Sequence, residues 1–374
     1  MKITKVELLK GRVNLENPFK ISFGSSDGSD EVLVKIYDDD GNVGIGEASP
    51  TMKIVGETQG TVLEVSSIIG SMLIGQDLDY PVSILDLIDR SILGNSTAKA
   101  AFDIALHDLL GKERNIPVSG LLGKYRDRIE TDVTIGIMST DKAVERARKL
   151  VDSGIRTIKL KVGGDIESDV KRVGAIRESV GSKIRLFVDA NQSWSPKRAI
   201  SSIRKLERFD IDFVEQPTPA ADLDSLAFVR KNSSVPIMAD ESVHSTSDVL
   251  RIVKLGAADM VNIKLMKCGG IHEAVKIATI CEAEGLPNMV GCMLEGAIGI
   301  AAGIHFALSA KNVVFVDLDS DRDVKNTLTS GKILPFEGCY RKDDGYPGLG
   351  NFNLSDKEVE LVKSITVNET YKSL

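Results

Sequence analysis

Thr157-Ile158-Lys159-Leu160-Lys161-Val162-Gly163 is a short β-rich run ending in glycine, and its like recurs along the chain. Similar runs are Thr131–Ile137, Ile184–Asn191, Ile211–Pro217, Pro236–Ser242, Met260–Met266, Pro287–Met293 and Val313–Asp319, eight in all and about twenty-six residues apart. The segments between them carry helical periodicity, as in Asp141–Asp152 and Pro196–Arg208. Strand, helix, strand at this spacing predicts βα units with parallel strands, and eight units close into a (β/α)8 TIM barrel. A doubly wound open sheet is the rival, but it rarely offers eight such even units. Ser195 before Pro196, and Ser247-Asp248 before an apolar run, mark helix starts.

Upstream the pattern changes. Lys2–Lys10, Glu31–Tyr37 and Gly44–Ala48 read as antiparallel strands, followed by helical stretches at Glu57–Ile74, Val82–Leu93 and Ser96–Arg114. The expected organisation is an α+β capping domain over residues 1–128, the barrel over 129–324, and a tail, 325–374, that packs back on the cap. Within the tail, Lys332–Leu334 is strand-like and Gly345–Gly350 is a turn.

Composition excludes several roles. The 374 residues carry a net charge of −7 with no basic block, which disfavours nucleic acid as a partner. Apolar runs fall short of the ~18–20 residues of a membrane span. The start, Met1–Glu7, alternates like a strand and lacks the apolar stretch of a signal peptide. Four cysteines without CxxC spacing indicate neither a disulfide framework nor a zinc site. A cytoplasmic protein, free of membranes, is expected.

Barrel chemistry sits at the C-terminal strand ends. Six of the eight runs end in acids or amines: Lys159 and Lys161, Asp189, Glu215, Asp240, Lys264, and Asp317 with Asp319. Asp189, Glu215 and Asp240 come from consecutive strands, and three converging carboxylates repel unless a cation lies among them. Hard oxygen ligands without His or Cys suit Mg²⁺. Separate salt bridges to Lys159, Lys161 and Lys264 are the plainer alternative. The lysines flank the acids from both sides. For one to act as base, its pKa of about 10.4 must fall by roughly 2–3 units. The Lys159 ammonium beside Lys161, and a divalent cation, supply that push. Two opposed bases around a metal that binds a carboxylate suggest removal of the proton alpha to it, with the enediolate stabilised by Mg²⁺ and the ammoniums.

The motifs TIKLKVG (157–163), VDAN (188–191), VEQP (214–217), MADES (238–242) and NIKLMK (262–267) resemble the enolase superfamily, muconate-lactonizing subgroup. Lysine bases working with Mg²⁺ are that superfamily's established chemistry. The likeness spans nearly the whole chain, from Gly46–Pro50 and Gly56–Thr58 through Ala98–Gly111 to Pro347–Gly350. The mandelate racemase branch would want a histidine near strand seven, and Met289–Gly296 has none.

Asp317-Leu318-Asp319 is similar to the DxD with which dipeptide epimerases hold a substrate's α-ammonium; a helix N-cap cluster is the alternative. The resemblance thus implies Mg²⁺ on Asp189, Glu215 and Asp240, and Lys161 and Lys264 as opposed acid/bases. Lys159, Asn191 and Glu241 support them, and Thr134, Lys159, Asp317, Asp319, Phe23 and Glu295 contact a dipeptide whose C-terminal residue is epimerised. A homo-oligomer is expected. Muconate cycloisomerase or o-succinylbenzoate synthase activity is the runner-up, and a non-catalytic binding barrel the remote one. Side-chain choice is expected in the loop Pro18–Glu31, where Asp27, Asp30 and Glu31 would repel an acidic residue. That favours a hydrophobic or cationic side chain unless Lys20 points inward. His107 and His305 read as core residues, and His244 borders the site at most.

Overall fold

The computed structural model describes residues 1–22, 24–330, 336–337 and 339–366. Phe23 and the expected strand Lys332–Leu334 lie outside them. A four-stranded antiparallel sheet forms from β1 (Ile3–Ile21), β2 (Gly24–Asp38), β3 (Val43–Ala48) and the late strand β12 (Val359–Thr366), which pairs with β1. Helices α1 (Gln59–Leu73), α2 (Pro81–Arg90) and α3 (Ser96–Glu113) follow. Helix α3 lies so close to β3 that a Cβ on Gly46 would fall 1.9 Å from the Ala101 carbonyl oxygen. Only glycine permits that approach.

One expectation changes here. The stretch Pro18–Glu31 is largely a hairpin end, with Phe19 opposite Ser26 and Ile21 opposite Gly24. Phe19 and Ile21 alternate with Lys20 at the strand period, and Pro18 hides this continuation.

Eight parallel strands make the second sheet: β4 (Val133–Ile135), β5 (Thr157–Lys161), β6 (Arg185–Asp189), β7 (Val214–Glu215), β8 (Ile237–Ala239), β9 (Met260–Lys264), β10 (Asn288–Gly291) and β11 (Val313–Asp317). They pair in sequence order, and the seam between β11 and β4 is bridged by Asp132 N–H to the Val316 carbonyl at 2.9 Å. Outer helices intervene, among them Thr140–Asp152, Pro196–Leu206 and Thr246–Leu255. Ser195 caps its helix as expected. The helix expected after Ser247-Asp248 starts earlier, because Ser245 supplies the cap and accepts from the Asp248 N–H.

Strand alternation sorts the barrel interior into levels. Phe187, Phe213, Met238, Met289 and Phe315 stand two residues before Asp189, Glu215, Asp240, Gly291 and Asp317. With Met260, the three phenylalanines and two methionines form an apolar plug, its Phe187 and Phe213 rings stacked at 4.2 Å. The charged level therefore rests on a dry floor at the C-terminal strand ends.

Candidate active site

Asp189, Glu215 and Asp240 are fully buried and bring carboxylate oxygens within 4.8 Å of one another. Both sequence readings of these acids are realised together. They converge, and each also meets a lysine. Lys161 Nζ donates to Asp189 Oδ2 at 2.6 Å, and Lys264 Nζ to Asp240 Oδ2 at 2.8 Å. Lys159 Nζ lies 2.7 Å from Glu215 Oε2, 2.7 Å from Asp317 Oδ2 and 3.1 Å from Asp189 Oδ2. Burial pushes Glu215 up to about 8, and Asp189 adds to the rise. Asp240 stays well below the usual carboxylate range despite its burial, because Lys264 and Lys267 face it.

The expected effect of Lys159 on Lys161 needs correction. Both ammoniums reach the same oxygen of Asp189, so a carboxylate separates the like charges that were to repel. Against its burial, Lys159 is held well above the ordinary lysine range by Asp317, Glu215 and Asp189, which makes it a fixed cation. Asp240 raises Lys264 in the same way. Occupation of the three acids by a divalent cation would withdraw these partners and favour a neutral amine. The donor set fits a hard cation: three carboxylates, with Glu241 Oε2 and Asn191 Oδ1 buried nearby and without hydrogen-bond partners.

Asn191 Nδ2 donates to Glu241 Oε1 at 3.1 Å, and its N–H to Asp189 Oδ1 at 2.8 Å. Thr134 is bonded to the acids of β11: its N–H donates to Asp319 Oδ2 at 2.7 Å and its hydroxyl to Asp317 Oδ1 at 3.2 Å. Sequence reasoning passed over Lys267, fully buried 2.6 Å from Asp240 Oδ1, and Asn262, whose amide donates to Glu215 Oε1 at 2.7 Å. The signals were there. Asn262 precedes Lys264 by one strand period, and Lys267 follows it by one turn of the short helix Leu265–Cys268. His305 is a core residue as expected, receiving the Ser119 N–H and bonding the Leu349 carbonyl. His107 bonds the Asp103 carbonyl, and His244 bonds the Glu241 carbonyl beside the site.

Two domain models match the chain: "Mandelate racemase / muconate lactonizing enzyme, N-terminal domain" over residues 3–123, and "Enolase C-terminal domain-like" over 142–352. A hydrophobic dipeptide epimerase of Enterococcus faecalis is 41% identical over 89% of this chain and 94% of its own. The chain belongs to the mandelate racemase/muconate lactonizing enzyme family. Among solved structures, an Enterococcus faecalis dipeptide epimerase complexed with Mg and L-Leu-L-Tyr superposes with a TM-score of 0.91 at 40% identity, covering 94% of this chain and 99% of that one. A substrate-liganded L-Ala-D/L-Glu epimerase of Bacillus subtilis gives 0.92 at 38% identity, covering 95% and 100%. The fold is that of the enolase-superfamily barrel with its N-terminal antiparallel domain.

In this member of the family, two cavities meet at the lysines. One, of about 430 Å³, includes Thr134, Asp317, Asp319 and Lys20. The other, of about 370 Å³, lies under the cap and includes Ile21, Met52, Lys53, Ile54 and Asn191. Phe19, Lys161, Lys264, Cys292, Met293 and Leu294 line both. Lys20 is exposed; it borders the first cavity, where its carbonyl accepts the Ile137 N–H, and is absent from the lining under the cap. The acidic-loop expectation is also altered: Arg12 holds Asp27 and Asp30, each at 2.7 Å, and Glu31 is fully buried beneath Ser49. No helix of the described residues is long and apolar enough to cross a membrane.

Glu295 lines neither cavity. It is buried close to Glu47, whose carboxylate accepts from the Gly296 and Gly299 N–H groups at 3.1 and 2.6 Å, and to Glu31. Burial pushes Glu295 up to about 8 and Glu47 to about 7. A carboxyl raised in the folded state binds more protons there than in the unfolded chain. Its contribution to stability is thus lost progressively as pH rises from the ordinary glutamate range to about 8. Glu295→Gln is expected to raise the melting temperature at pH 8.5 by several degrees and to change it little at pH 5, as calorimetry at the two pH values would read.

Proposed function

We propose that this chain is a Mg²⁺-dependent dipeptide epimerase acting at the C-terminal residue, in a reducing cytoplasm that suits its four free, buried cysteines. The observation that carries this reading is one shared cavity in which two lysines from opposite sides of the barrel meet an acidic pair, Asp317 and Asp319. Asp189, Glu215 and Asp240 would hold the metal, which when bound supplies positive charge against a substrate carboxylate and the charge it gains when the α-proton leaves. Lys161 takes that proton on its Nζ, the C–H electron pair passing into the carboxylate. Lys264, from the opposite face, returns a proton to the same carbon, inverting it. The reverse reaction exchanges their roles. Lys159, a fixed ammonium, stays charged beside the developing anion. Asp317 and Asp319 seat the dipeptide's α-ammonium, and Thr134 holds both carboxylates in place.

That seat separates this reading from cycloisomerase or o-succinylbenzoate synthase activity, whose dianionic substrates gain nothing from it. L-Ala-L-Leu should epimerise, and its N-acetyl derivative should lose at least about 10-fold in kcat/KM, since a charge-assisted hydrogen bond is worth about 1.5–3 kcal/mol. Equal rates for both would refute the seat.

The C-terminal side chain would enter the cavity under the cap. Its lining by Phe19, Ile21, Met52, Ile54, Met293 and Leu294 favours a hydrophobic residue. A cationic one is favoured less: Asp30 and Glu57 also line this cavity, but Asp30 is paired with Arg12, Glu57 accepts from the Thr97 and Ala98 N–H groups, and Lys53 stands in the same lining. In a screen of L-Ala-L-Xaa dipeptides, Phe and Leu should outrank Glu and Lys. Arg12→Ala, by releasing the two aspartates, should shift the ranking toward Lys by about 2–5-fold, the scale of a partly exposed ion pair. An unchanged ranking would show that these acids do not reach the substrate.

A further inference from the structure

One buried carboxyl of the barrel has no part in this mechanism. Asp132 precedes Thr134 by two residues, so strand alternation turns both toward the interior. It is 2% exposed, and neither carboxyl oxygen has a hydrogen-bond partner. The groups facing it explain why: they are Asp317 and Asp319, with Lys159 as the nearby cation. The backbone around it is fixed to β11. Its own N–H donates to the Val316 carbonyl at 2.9 Å, and Thr131 Oγ1 accepts the Leu318 N–H at 3.2 Å. These bonds hold the Asp132 backbone in the barrel seam, beside the strand that carries Asp317.

We propose that Asp132 is a positioning residue of the ammonium seat: it shares a proton with Asp317 from behind and keeps Asp317 and Asp319 aimed into the cavity. Two carboxylates in contact offer only acceptors, and the contact becomes favourable when one of them carries a hydrogen. The proton belongs on Asp132. Burial and the neighbouring Asp317 drive its carboxyl well above the usual range. Asp317, although buried, is held at about 2 by Lys159. The arrangement leaves Asp317 as the charged partner for a substrate cation and gives it a third hydrogen bond, beside those from Lys159 at 2.7 Å and Thr134 at 3.2 Å. An ionised Asp132 would instead set carboxylate against carboxylate at the base of the seat.

This inference rests on the reading of Asp317 and Asp319 as an ammonium seat, and its test includes a ligand that needs no turnover. Asp132→Asn keeps the shape and a donor N–H without charge, whereas Asp132→Val keeps the shape and removes the donor. Each is compared with the wild-type chain for kcat and KM on L-Ala-L-Leu and for binding of L-alaninamide followed by NMR titration. Asp132→Asn should stay within about 3-fold of wild type in every constant. Asp132→Val should raise both the KM and the L-alaninamide Kd at least about 10-fold, the scale of an unsatisfied buried acceptor, with kcat within about 3-fold. Should Asp132→Val fail to fold, Asp132→Ala takes its place with the same expectations.

Wild-type binding of L-alaninamide by the apolar variant would overturn the proposal. So would equal losses in the Asn and apolar variants, or a wild-type chain that does not bind L-alaninamide. A wild-type chain that binds L-alaninamide but epimerises no dipeptide would defeat the proposed activity alone, and the Kd values would still decide the role of Asp132.

Discussion

Lys161→Ala and Lys264→Ala are each expected to lower dipeptide epimerisation by roughly 10²–10⁴-fold, the range for loss of a positioned acid or base. The contacts separate this effect from damage to the fold. Without Lys161, Asp189 keeps Lys159 at 3.1 Å; without Lys264, Asp240 keeps Lys267 at 2.6 Å. Neither truncation strands a buried carboxylate, so the melting temperature should move far less than the rate. The two variants should also differ in kind. With one face served by a lysine, each should exchange the α-proton of one epimer with solvent and leave the other untouched, with opposite choices. Exchange of both epimers by either variant would contradict the assignment of one lysine to each face.

Removal of divalent cations by EDTA should bring the activity down by at least about 10³-fold, since a metal contributes several kcal/mol of charge stabilisation and each 1.36 kcal/mol is tenfold. Added Mg²⁺ should restore it. Asp240→Asn should show the same loss without recovery at any Mg²⁺ concentration. Calorimetric titration reads this separately from turnover: Mg²⁺ binding should be clear in the wild-type chain and absent in the variant. Here the fold is also affected. Asp240 answers two buried ammoniums, Lys264 at 2.8 Å and Lys267 at 2.6 Å, and neutralising it leaves Lys264 poorly paired. Breaking a buried pair costs about 3–5 kcal/mol, so a marked fall in melting temperature should accompany the loss of metal. Full activity in EDTA would remove the metal from the account.

The barrel was legible because two periods agree. The repeat of βα units set the strand count, and alternation within each strand placed the charged residues of six ends on the interior. The level beneath explains why these charges can be there at all: Phe187, Phe213, Met238, Met289 and Phe315 close the floor under them. What stayed hidden depends on partners remote in sequence. Asp27 and Asp30 look like unspent negative charge until the hairpin brings Arg12 across to them. Glu295 directly follows Met293 and Leu294, which line both cavities, yet it lines neither and is buried near Glu47 of the cap, accepting the Met293 N–H. Lys159 and Lys161 read as mutually repelling until β6 inserts Asp189 between them. Asp132 was passed over for a different reason. It stands one strand period below the rim, two residues before Thr134, where the strand-end pattern does not reach.

Incubation of the chain with Mg²⁺ and L,L-dipeptides in D₂O, read by mass spectrometry and chiral separation, tests the central claim most directly. The expected product gains one dalton and is inverted at the C-terminal residue, with L-Ala-L-Leu or L-Ala-L-Phe among the best substrates. No exchange with any dipeptide, together with turnover of muconate or of a succinyl-hydroxycyclohexadiene carboxylate, would contradict it.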